Sequence, residues 1–360
     1  MKNLRSLLFL VMCVLLTFSA NADRLKVGLV LGGGGAKGAA EIGVLKTLKK
    51  AGIPIDYVAG TSVGSLVGGL YASGVDPEKM EELFSHQDWI SLFTDRNMSH
   101  AGELIAKDNG CYFVYGYPVW NSDSEWRDGL LQGDSITSML GQLTGHTEEM
   151  DFDDLEIPFR CVVVDLENME EHVLDEGVLP ECLRTSMSFP VAFSTQMRDG
   201  RKYIDGGAIN NLPVDVVKAM GADVVIAVDL EQREKGSRQS GGGWLEWLVG
   251  NTDVGGIVNY VVGDNQLLKS EQVNLGNIIN WFITNPDDKK YLENKKMVDI
   301  YIHPDLTGYN LVSFTPESVS EMIRIGERTA SDAMPQLMDL WQRIYLGSFD
   351  LEVETATEQP

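Results

Sequence analysis

The sequence predicts an α/β protein built on a doubly wound, mostly parallel sheet. Residues 25–31 form an apolar run of strand length, and a glycine-rich turn leads from it into apolar residues at helical spacing. Residues 57–61 form a second apolar run, and a second helical segment follows to about residue 72. A strand–helix–strand–helix order is typical of parallel sheets that helices cover on both faces.

Later elements extend the same pattern. Asp76 is a good N-cap and Pro77 suits a first helical turn, so a helix is predicted to begin there. Residues 93–130 show no regular pattern and are predicted to be irregular. Further strands are expected at 158–164, 202–204, 222–229 and 298–302, and further helices at 135–143, 179–183, 213–220 and 318–345.

The first 22 residues are expected to be a signal peptide. Lys2 and Arg5 form a basic start, residues 7–18 are apolar, and Ala20-Asn21-Ala22 fits a signal-peptidase site. An exported protein is therefore predicted, periplasmic or extracellular in a bacterium. The predicted organisation is a signal peptide at 1–22, a folded domain at 23–345 with 231–290 as an insertion or cap, and an acidic tail at 346–360.

The charge and the cysteines exclude some classes of protein. The chain has 29 basic and 53 acidic residues, a formal net charge of −24. This balance argues against nucleic-acid binding and against simple electrostatic docking on an anionic lipid surface. Beyond the expected leader only Cys111, Cys161 and Cys182 remain. We predict no disulfide framework from this odd number, and we expect Cys161 to lie in the core.

One short stretch points to a reactive serine. Gly60-Thr61-Ser62-Val63-Gly64 has the form of a nucleophile elbow, in which a sharp strand-to-helix turn exposes a serine hydroxyl at the edge of a sheet. The flanking glycines, Gly60 and Gly64, suit a turn too tight for side chains. The new helix also directs its N-terminus towards Ser62, which favours developing negative charge there.

The preceding glycine-rich loop has several interpretations. Its sequence is Gly33-Gly34-Gly35-Ala36-Lys37-Gly38. The dinucleotide fingerprint requires an acidic residue at the end of the second strand, but Asp56 lies at its start. The P-loop pattern requires Ser or Thr after the lysine, but Gly38 follows Lys37, so this interpretation fails. The loop is therefore predicted to be an oxyanion hole of bare backbone N–H groups, and a simple tight turn is the alternative.

A serine nucleophile needs a proton acceptor. None of the five histidines ends a strand among small neighbours, and His303 is the best of them. Asp205 is a better candidate, because it ends a short strand and precedes Gly206 and Gly207, which allow close approach. With an ordinary pKa near 4, an aspartate is ionised at pH 7 and can accept the proton. A simple turn is the alternative for this Asp-Gly-Gly sequence.

These three motifs, in this order, resemble those of the patatin-like phospholipase family: a Gly-Gly-Gly-x-Lys/Arg-Gly loop, a Gly-x-Ser-x-Gly elbow and an Asp-Gly-Gly/Ala motif. The stretch 185–190 is also similar to the family's Ala-Ser-x-x-x-Pro segment, with Thr185 in place of Ala. The resemblance covers about residues 25–230 and is weaker to about residue 335. It implies a patatin-like three-layer α/β/α sandwich with a mostly parallel central sheet.

The resemblance also implies a function. Ser62 would be the nucleophile and Asp205 the general base of a Ser–Asp dyad without histidine. The N–H groups of Gly34 and Gly35 would form the oxyanion hole, and Lys37 would orient the loop. The substrate would be a lipid or phospholipid acyl ester, hydrolysed through an acyl-enzyme without a metal or cofactor. A non-catalytic lipid-binding protein on the same fold is the alternative.

Aromatic residues mark candidate sites for the acyl chain. The stretches 112–120, 244–249 and 279–283 are rich in Tyr, Trp and Phe, which suit a boundary between apolar and polar surroundings. They are candidates for an apolar groove or for peripheral contact with a membrane. Ordinary packing of a cap on the core is the alternative.

Overall fold

The computed structural model describes residues 24–108, 111–121, 133–189, 193–232 and 288–346. The expected signal peptide, nearly all of the predicted insertion or cap, and the predicted tail lie outside the described residues. The aromatic stretches 244–249 and 279–283 fall in the same undescribed part. Those predictions therefore stay predictions.

The described residues form thirteen strands and ten α-helices. The strands are β1 Val27–Leu31, β2 Tyr57–Thr61, β3 Ala106–Asp108, β4 Cys111–Val114, β5 Tyr117–Asn121, β6 Glu149–Asp151, β7 Phe159–Asp165, β8 Glu170–Leu174, β9 Glu176–Val178, β10 Gln196–Arg198, β11 Arg201–Asp205, β12 Val224–Val228 and β13 Ile300–Ile302. The helices are α1 Ala39–Ala51, α2 Val63–Ala72, α3 Pro77–His86, α4 Trp89–Phe93, α5 Asp134–Thr144, α6 Leu179–Ser186, α7 Val214–Ala219, α8 Asp288–Lys296, α9 Pro316–Asp332 and α10 Met334–Leu346.

One eight-stranded sheet organises the fold. Its hydrogen-bonded neighbours follow the path β10–β11–β7–β2–β1–β12–β13, and β8 also pairs with β7. The pairs that join β7, β2, β1, β12 and β13 are parallel, whereas β8, β10 and β11 join antiparallel. The predicted mostly parallel central sheet is confirmed.

Helices cover both faces of this sheet. Leu29 and Leu31 of β1 lie in the larger apolar core, with residues of α1, α2 and α9. Val30 points to the opposite face, where it joins Val217 of α7 in a smaller core. Alternate residues of a strand point to opposite faces, so β1 contributes to both cores. The result is a three-layer α/β/α arrangement, as predicted.

Two helix boundaries show the local signals that are typical of such positions. Gly52 ends α1 in the left-handed conformation, with φ 67°. Asp76 accepts a hydrogen bond from the Glu78 N–H at the start of α3, and Pro77 occupies the first turn. Among the described helices, none is long enough and apolar enough to cross a bilayer.

Two predictions of secondary structure are wrong. Part of the segment predicted to be irregular, 93–130, forms a separate three-stranded antiparallel sheet of β3, β4 and β5. The single helix predicted at 318–345 is two helices, α9 and α10, which meet at Ala333. Pro335 explains the break, because proline is tolerated in the first turn of α10 but not inside a continuous helix.

Candidate active site

Ser62 occupies the sharp turn between β2 and α2. Its backbone has φ 56° and ψ −125°, a conformation that non-glycine residues rarely adopt. The Ser62 carbonyl accepts the Ser65 N–H at 2.9 Å and the Ser65 hydroxyl at 2.6 Å. Strain of this kind persists where the surroundings impose it, and here two donors from Ser65 constrain the turn.

The two glycines of the elbow lie where no side chain fits. A Cβ on Gly60 would lie 2.4 Å from the Gly64 carbonyl oxygen. A Cβ on Gly64 would lie 2.3 Å from the Leu31 carbonyl oxygen at the end of β1. Both neighbours are backbone, which has little freedom to move aside. The first turn of α2 therefore packs directly on β1 and β2.

The sheet brings Asp205 to Ser62. The strand β8 pairs with residues 161–165 of β7 and occupies one edge of that strand. The other edge pairs first with β2, where Thr61 lies opposite Val162, and then with β11, where Asp205 lies opposite Val163. Because β2 and β11 run in opposite directions, their carboxyl ends meet on this edge. The dyad residues predicted from sequence are thus adjacent.

Burial changes the chemistry of Asp205. Its side chain is 4% exposed, and one carboxylate oxygen accepts the Gly207 N–H at 2.8 Å. Burial raises the pKa of Asp205 to about 6, while a hydrogen bond from Ser62 and the Gly207 N–H act in the opposite direction. The ordinary pKa near 4 expected from sequence is therefore wrong. Asp205 is a stronger base than an exposed aspartate and is still mostly ionised at pH 7.

Gly206 and Gly207 allow this close approach. A Cβ on Gly206 would lie 2.3 Å from the Val162 carbonyl oxygen, which belongs to β7. A Cβ on Gly207 would lie 2.7 Å from the Asn211 side chain and 3.1 Å from an Asp205 carboxylate oxygen. Larger residues at either position would displace the carboxylate or the strand.

The glycine loop lies against the elbow. A Cβ on Gly33 would be 3.3 Å from the Ser62 Cβ. The Gly33 N–H donates to the Asn211 carbonyl at 3.1 Å, so this N–H is already paired. Among the described residues, no backbone carbonyl accepts a hydrogen bond from the N–H of Gly34 or Gly35. These are the two donors that the family resemblance implies for an oxyanion.

Glycine is required elsewhere in the loop for space and conformation. Gly35 has φ 57°, and a Cβ there would lie 2.5 Å from the Leu311 carbonyl oxygen. A Cβ on Gly38 would lie 2.3 Å from the Val63 side chain, beside the elbow. The loop is therefore held between the 311 region and the start of α2.

Lys37 is buried beneath the loop, with 5% of its surface exposed. Burial lowers the pKa of Lys37, and the nearby carboxylates of Glu231 and Asp229 partly offset this effect. Both carboxylates follow the end of β12. Lys37 is thus buried and influenced by two carboxylates that follow β12, and its role in orienting the loop stays a prediction.

The histidines make other contacts. The His303 Nε2 lies 2.7 Å from the Glu231 carbonyl oxygen, and the ring stacks on Tyr301. His172 packs against Tyr203. None of the hydrogen bonds made by the described histidines reaches Ser62. A histidine-based triad therefore has no support in the described part of the chain.

The dinucleotide interpretation also fails. Asp56 pairs with Arg24 at 2.6 Å and accepts the Val27 N–H at 2.8 Å. These contacts lie at the amino ends of β1 and β2, opposite the glycine loop. Asp56 is therefore unable to bind a ribose beside that loop.

Sequence reasoning missed Asn211 and the role of Ser186. The Asn211 carbonyl accepts from Gly33, and its side-chain amide donates to the Gly33 carbonyl at 3.3 Å. Asn211 thus connects the glycine loop to the segment after Asp205, a contact with no signal in the sequence. Ser186 lies in the family-like stretch 185–190, but only the fold shows what its hydroxyl contacts.

The part of the chain that holds the three motifs matches a known family. The sequence profile described as patatin-like phospholipase matches residues 29–218. The Patatin-like phospholipase domain-containing protein ZK370.4 of Caenorhabditis elegans is 35% identical over 213 residues, 58% of this chain and 14% of that protein. Lysophospholipase NTE1 of Mycosarcoma maydis is 33% identical over 235 residues, 62% of this chain and 11% of that protein. The chain thus matches only a small part of the length of these relatives.

Solved structures show a weaker likeness. VipD from Legionella pneumophila aligns with a TM-score of 0.45 and 15% identity, over 88% of this chain and 67% of that chain. The type III effector protein ExoU aligns with a TM-score of 0.42 and 12% identity, over 88% of this chain and 53% of that chain.

The profile match includes the glycine loop, the elbow and most of the central sheet, and it extends over more than half of the chain. Asp205 lies within the same matched range and is adjacent to Ser62 in the fold. On this evidence, the chain belongs to the patatin-like phospholipase family.

Proposed function

We propose that this protein is a serine esterase that hydrolyses the carboxylic esters of phospholipids, lysophospholipids or related lipids. One observation carries the proposal: Ser62, on a strained elbow, lies at the end of β2 where the end of β11 brings the buried Asp205 beside it. The names of relatives, which include patatin-like phospholipases and a lysophospholipase, support a lipid substrate.

The first half-reaction forms an acyl-enzyme. Asp205 accepts the Ser62 proton as the Ser62 oxygen attacks the ester carbonyl. The tetrahedral intermediate collapses, the carbon–oxygen bond to the alcohol breaks, and protonated Asp205 returns the proton to the departing alcohol. In the second half-reaction Asp205 accepts a proton from water, which attacks the acyl carbonyl. Ser62 then leaves with that proton, and a free fatty acid is released.

The negative oxygen of each tetrahedral intermediate would lie against the glycine loop. The N–H groups of Gly34 and Gly35 are the available donors, and each such donor stabilises a transition state by about 3 kcal/mol. Lys37, which is buried within the same loop, is proposed to orient it and is assigned no direct chemical role.

The protein is proposed to act outside the cytoplasm of a bacterium. The basic start, apolar run and Ala20-Asn21-Ala22 site of residues 1–22 support export. Peripheral contact with lipid would be apolar, and Leu104 and Ile105 are 62% and 68% exposed beside the small sheet. The strong negative charge argues against nucleic acid as a partner.

The direct test is hydrolysis of p-nitrophenyl butyrate and palmitate, and of phosphatidylcholine and lysophosphatidylcholine vesicles. We expect Ser62→Ala and Asp205→Asn each to lose at least about a hundredfold in kcat, with unchanged circular dichroism. His303→Ala is the control and should retain activity. Activity that survives Asp205→Asn would overturn the dyad. A wild type that binds vesicles but hydrolyses none of these esters would favour the non-catalytic lipid-binding alternative.

A further inference from the structure

The Ser186 hydroxyl contacts the nucleophile's backbone. Ser186 ends α6 and is fully buried. Its oxygen accepts the Ser62 N–H at 3.0 Å and donates to the Val162 carbonyl at 2.7 Å. One side chain therefore joins the elbow to β7.

This hydroxyl lies where a main-chain hydrogen bond would otherwise form. In the parallel pair of β2 and β7, the Val58 N–H donates to the Pro158 carbonyl. The ladder repeats every two residues, so two repeats further along the Ser62 N–H would donate to the Val162 carbonyl. The elbow turns the Ser62 backbone out of the strand, and the Ser186 hydroxyl bridges the gap between these two groups.

The same segment contacts the proposed base. The Ser188 carbonyl accepts the Asp205 N–H at 3.0 Å. The Ser188 hydroxyl in turn accepts a hydrogen bond from the buried Arg184 at 2.9 Å. Residues 186 and 188 thus bind the backbone N–H groups of both Ser62 and Asp205.

We propose that Ser186 is a positioning residue, and that the segment 186–188 sets the separation of the Ser62 and Asp205 side chains. The inference rests on the proposed function, since it concerns the geometry of that dyad. Ser186 lets β2 end one residue early, so that Ser62 adopts its strained, positive-φ conformation while its N–H and the Val162 carbonyl stay paired.

Burial alone does not explain a hydroxyl at this position. Ser194 is equally buried nearby, and its hydroxyl has no hydrogen-bond partner among the described residues. Ser194 therefore offers a matched control: the same residue type, the same burial and a hydroxyl that makes no hydrogen bond to a described residue. A comparison of alanine variants at these two positions distinguishes the loss of any buried hydroxyl from the loss of the hydrogen-bonded bridge.

The experiment compares Ser186→Ala with Ser194→Ala in the full chain. For Ser186→Ala we expect a fall in kcat of at least tenfold, KM within twofold, and faster amide exchange in residues 57–66. Ser194→Ala should leave both kcat and the amide exchange of residues 57–66 unchanged. Should Ser186→Ala fail to fold, Ser186→Cys replaces it, because the thiol has similar size but bridges poorly.

The outcomes separate this inference from the proposed function. A wild type without esterase activity would defeat the proposed function, while hydrogen exchange would still test the bridge. Unchanged exchange in the Ser186 variant would overturn the bridge itself. Faster exchange with kcat within twofold of an active wild type would overturn the positioning role and leave Ser186 a structural residue.

Discussion

Ser62 and Asp205 meet because the strands that carry them end head to head on one edge of β7, opposite Val162 and Val163. The residues are 143 positions apart in the sequence but adjacent in the sheet. The antiparallel direction of β11 makes this possible, because a parallel strand at the same place would present its amino end, not its carboxyl end, to the end of β2.

The burial of Asp205 predicts the pH dependence of the reaction. The proposed base works only when ionised, and its pKa is raised to about 6. We therefore expect kcat/KM to increase as the pH rises through about 6 and to level off above it. The measurement is hydrolysis of p-nitrophenyl butyrate between pH 4.5 and 8.5, with stability checked at each pH. A midpoint near pH 4 would show that Asp205 behaves as an exposed aspartate.

The buried Glu41 is predicted to make the stability of the fold depend on pH. It lies in the first turn of α1, is fully buried, and neither carboxylate oxygen has a hydrogen-bond partner among the described residues. Burial raises its pKa well above 4.5, and the nearby Gly32 N–H only partly opposes this. The folded state thus binds the proton more tightly than the unfolded state. Stability is greatest below the unfolded pKa and falls as the pH rises towards the folded pKa.

Glu41→Gln tests this effect, because glutamine has nearly the same shape and does not titrate. We expect the variant to be more stable than the wild type at pH 8 and to show a flatter dependence of unfolding free energy on pH. Each pKa unit of difference corresponds to about 1.4 kcal/mol. Urea unfolding at pH 5 and pH 8 measures both values. Parallel pH profiles for the two proteins would contradict the prediction.

Gly64 of the elbow is predicted not to tolerate substitution by a residue with a side chain. Gly64→Ala would place a Cβ 2.3 Å from the Leu31 carbonyl oxygen and 2.6 Å from that of Gly32. We expect destabilisation of about 3 kcal/mol or more, since only backbone movement relieves the contact. Gly102→Ala is the control, because its Cβ would have no neighbour within 4 Å. Thermal melting of both variants should show a large loss for the first and almost none for the second.

The sequence could predict the parts of this protein that depend on local chemistry. The Gly52 end of α1, the Asp76 cap and the elbow glycines follow from a few neighbouring residues. The contacts of Ser186, Asn211 and Glu41 depend on which strands lie beside β7 and β1, and no local pattern records that register. The raised pKa of Asp205 has the same origin, because burial is a property of the whole fold.

The last prediction concerns the hydrogen bonds that the buried Asp229 accepts. It is 1% exposed at the end of β12, and it accepts hydrogen bonds from the hydroxyls of Tyr291 and Tyr301, the latter at 2.6 Å. Lys295 donates to the Tyr301 hydroxyl at 2.6 Å. These contacts attach α8 and β13 to the strand whose end faces Lys37. Removal of one of these hydroxyls would leave the buried Asp229 carboxylate with one hydrogen bond fewer.

We therefore expect Tyr301→Phe to destabilise the protein by about 1.5–3 kcal/mol, the range for hydrogen bonds to charged groups. Tyr345→Phe is the matched control, because Tyr345 is 53% exposed and should change stability by less than about 0.5 kcal/mol. Urea unfolding at pH 7 measures both. Equal stabilities for the two variants would show that Asp229 is adequately paired by Tyr291 and the Glu231 N–H. A larger loss than predicted, with slower ester hydrolysis, would indicate that this cluster also orients Lys37 and the glycine loop.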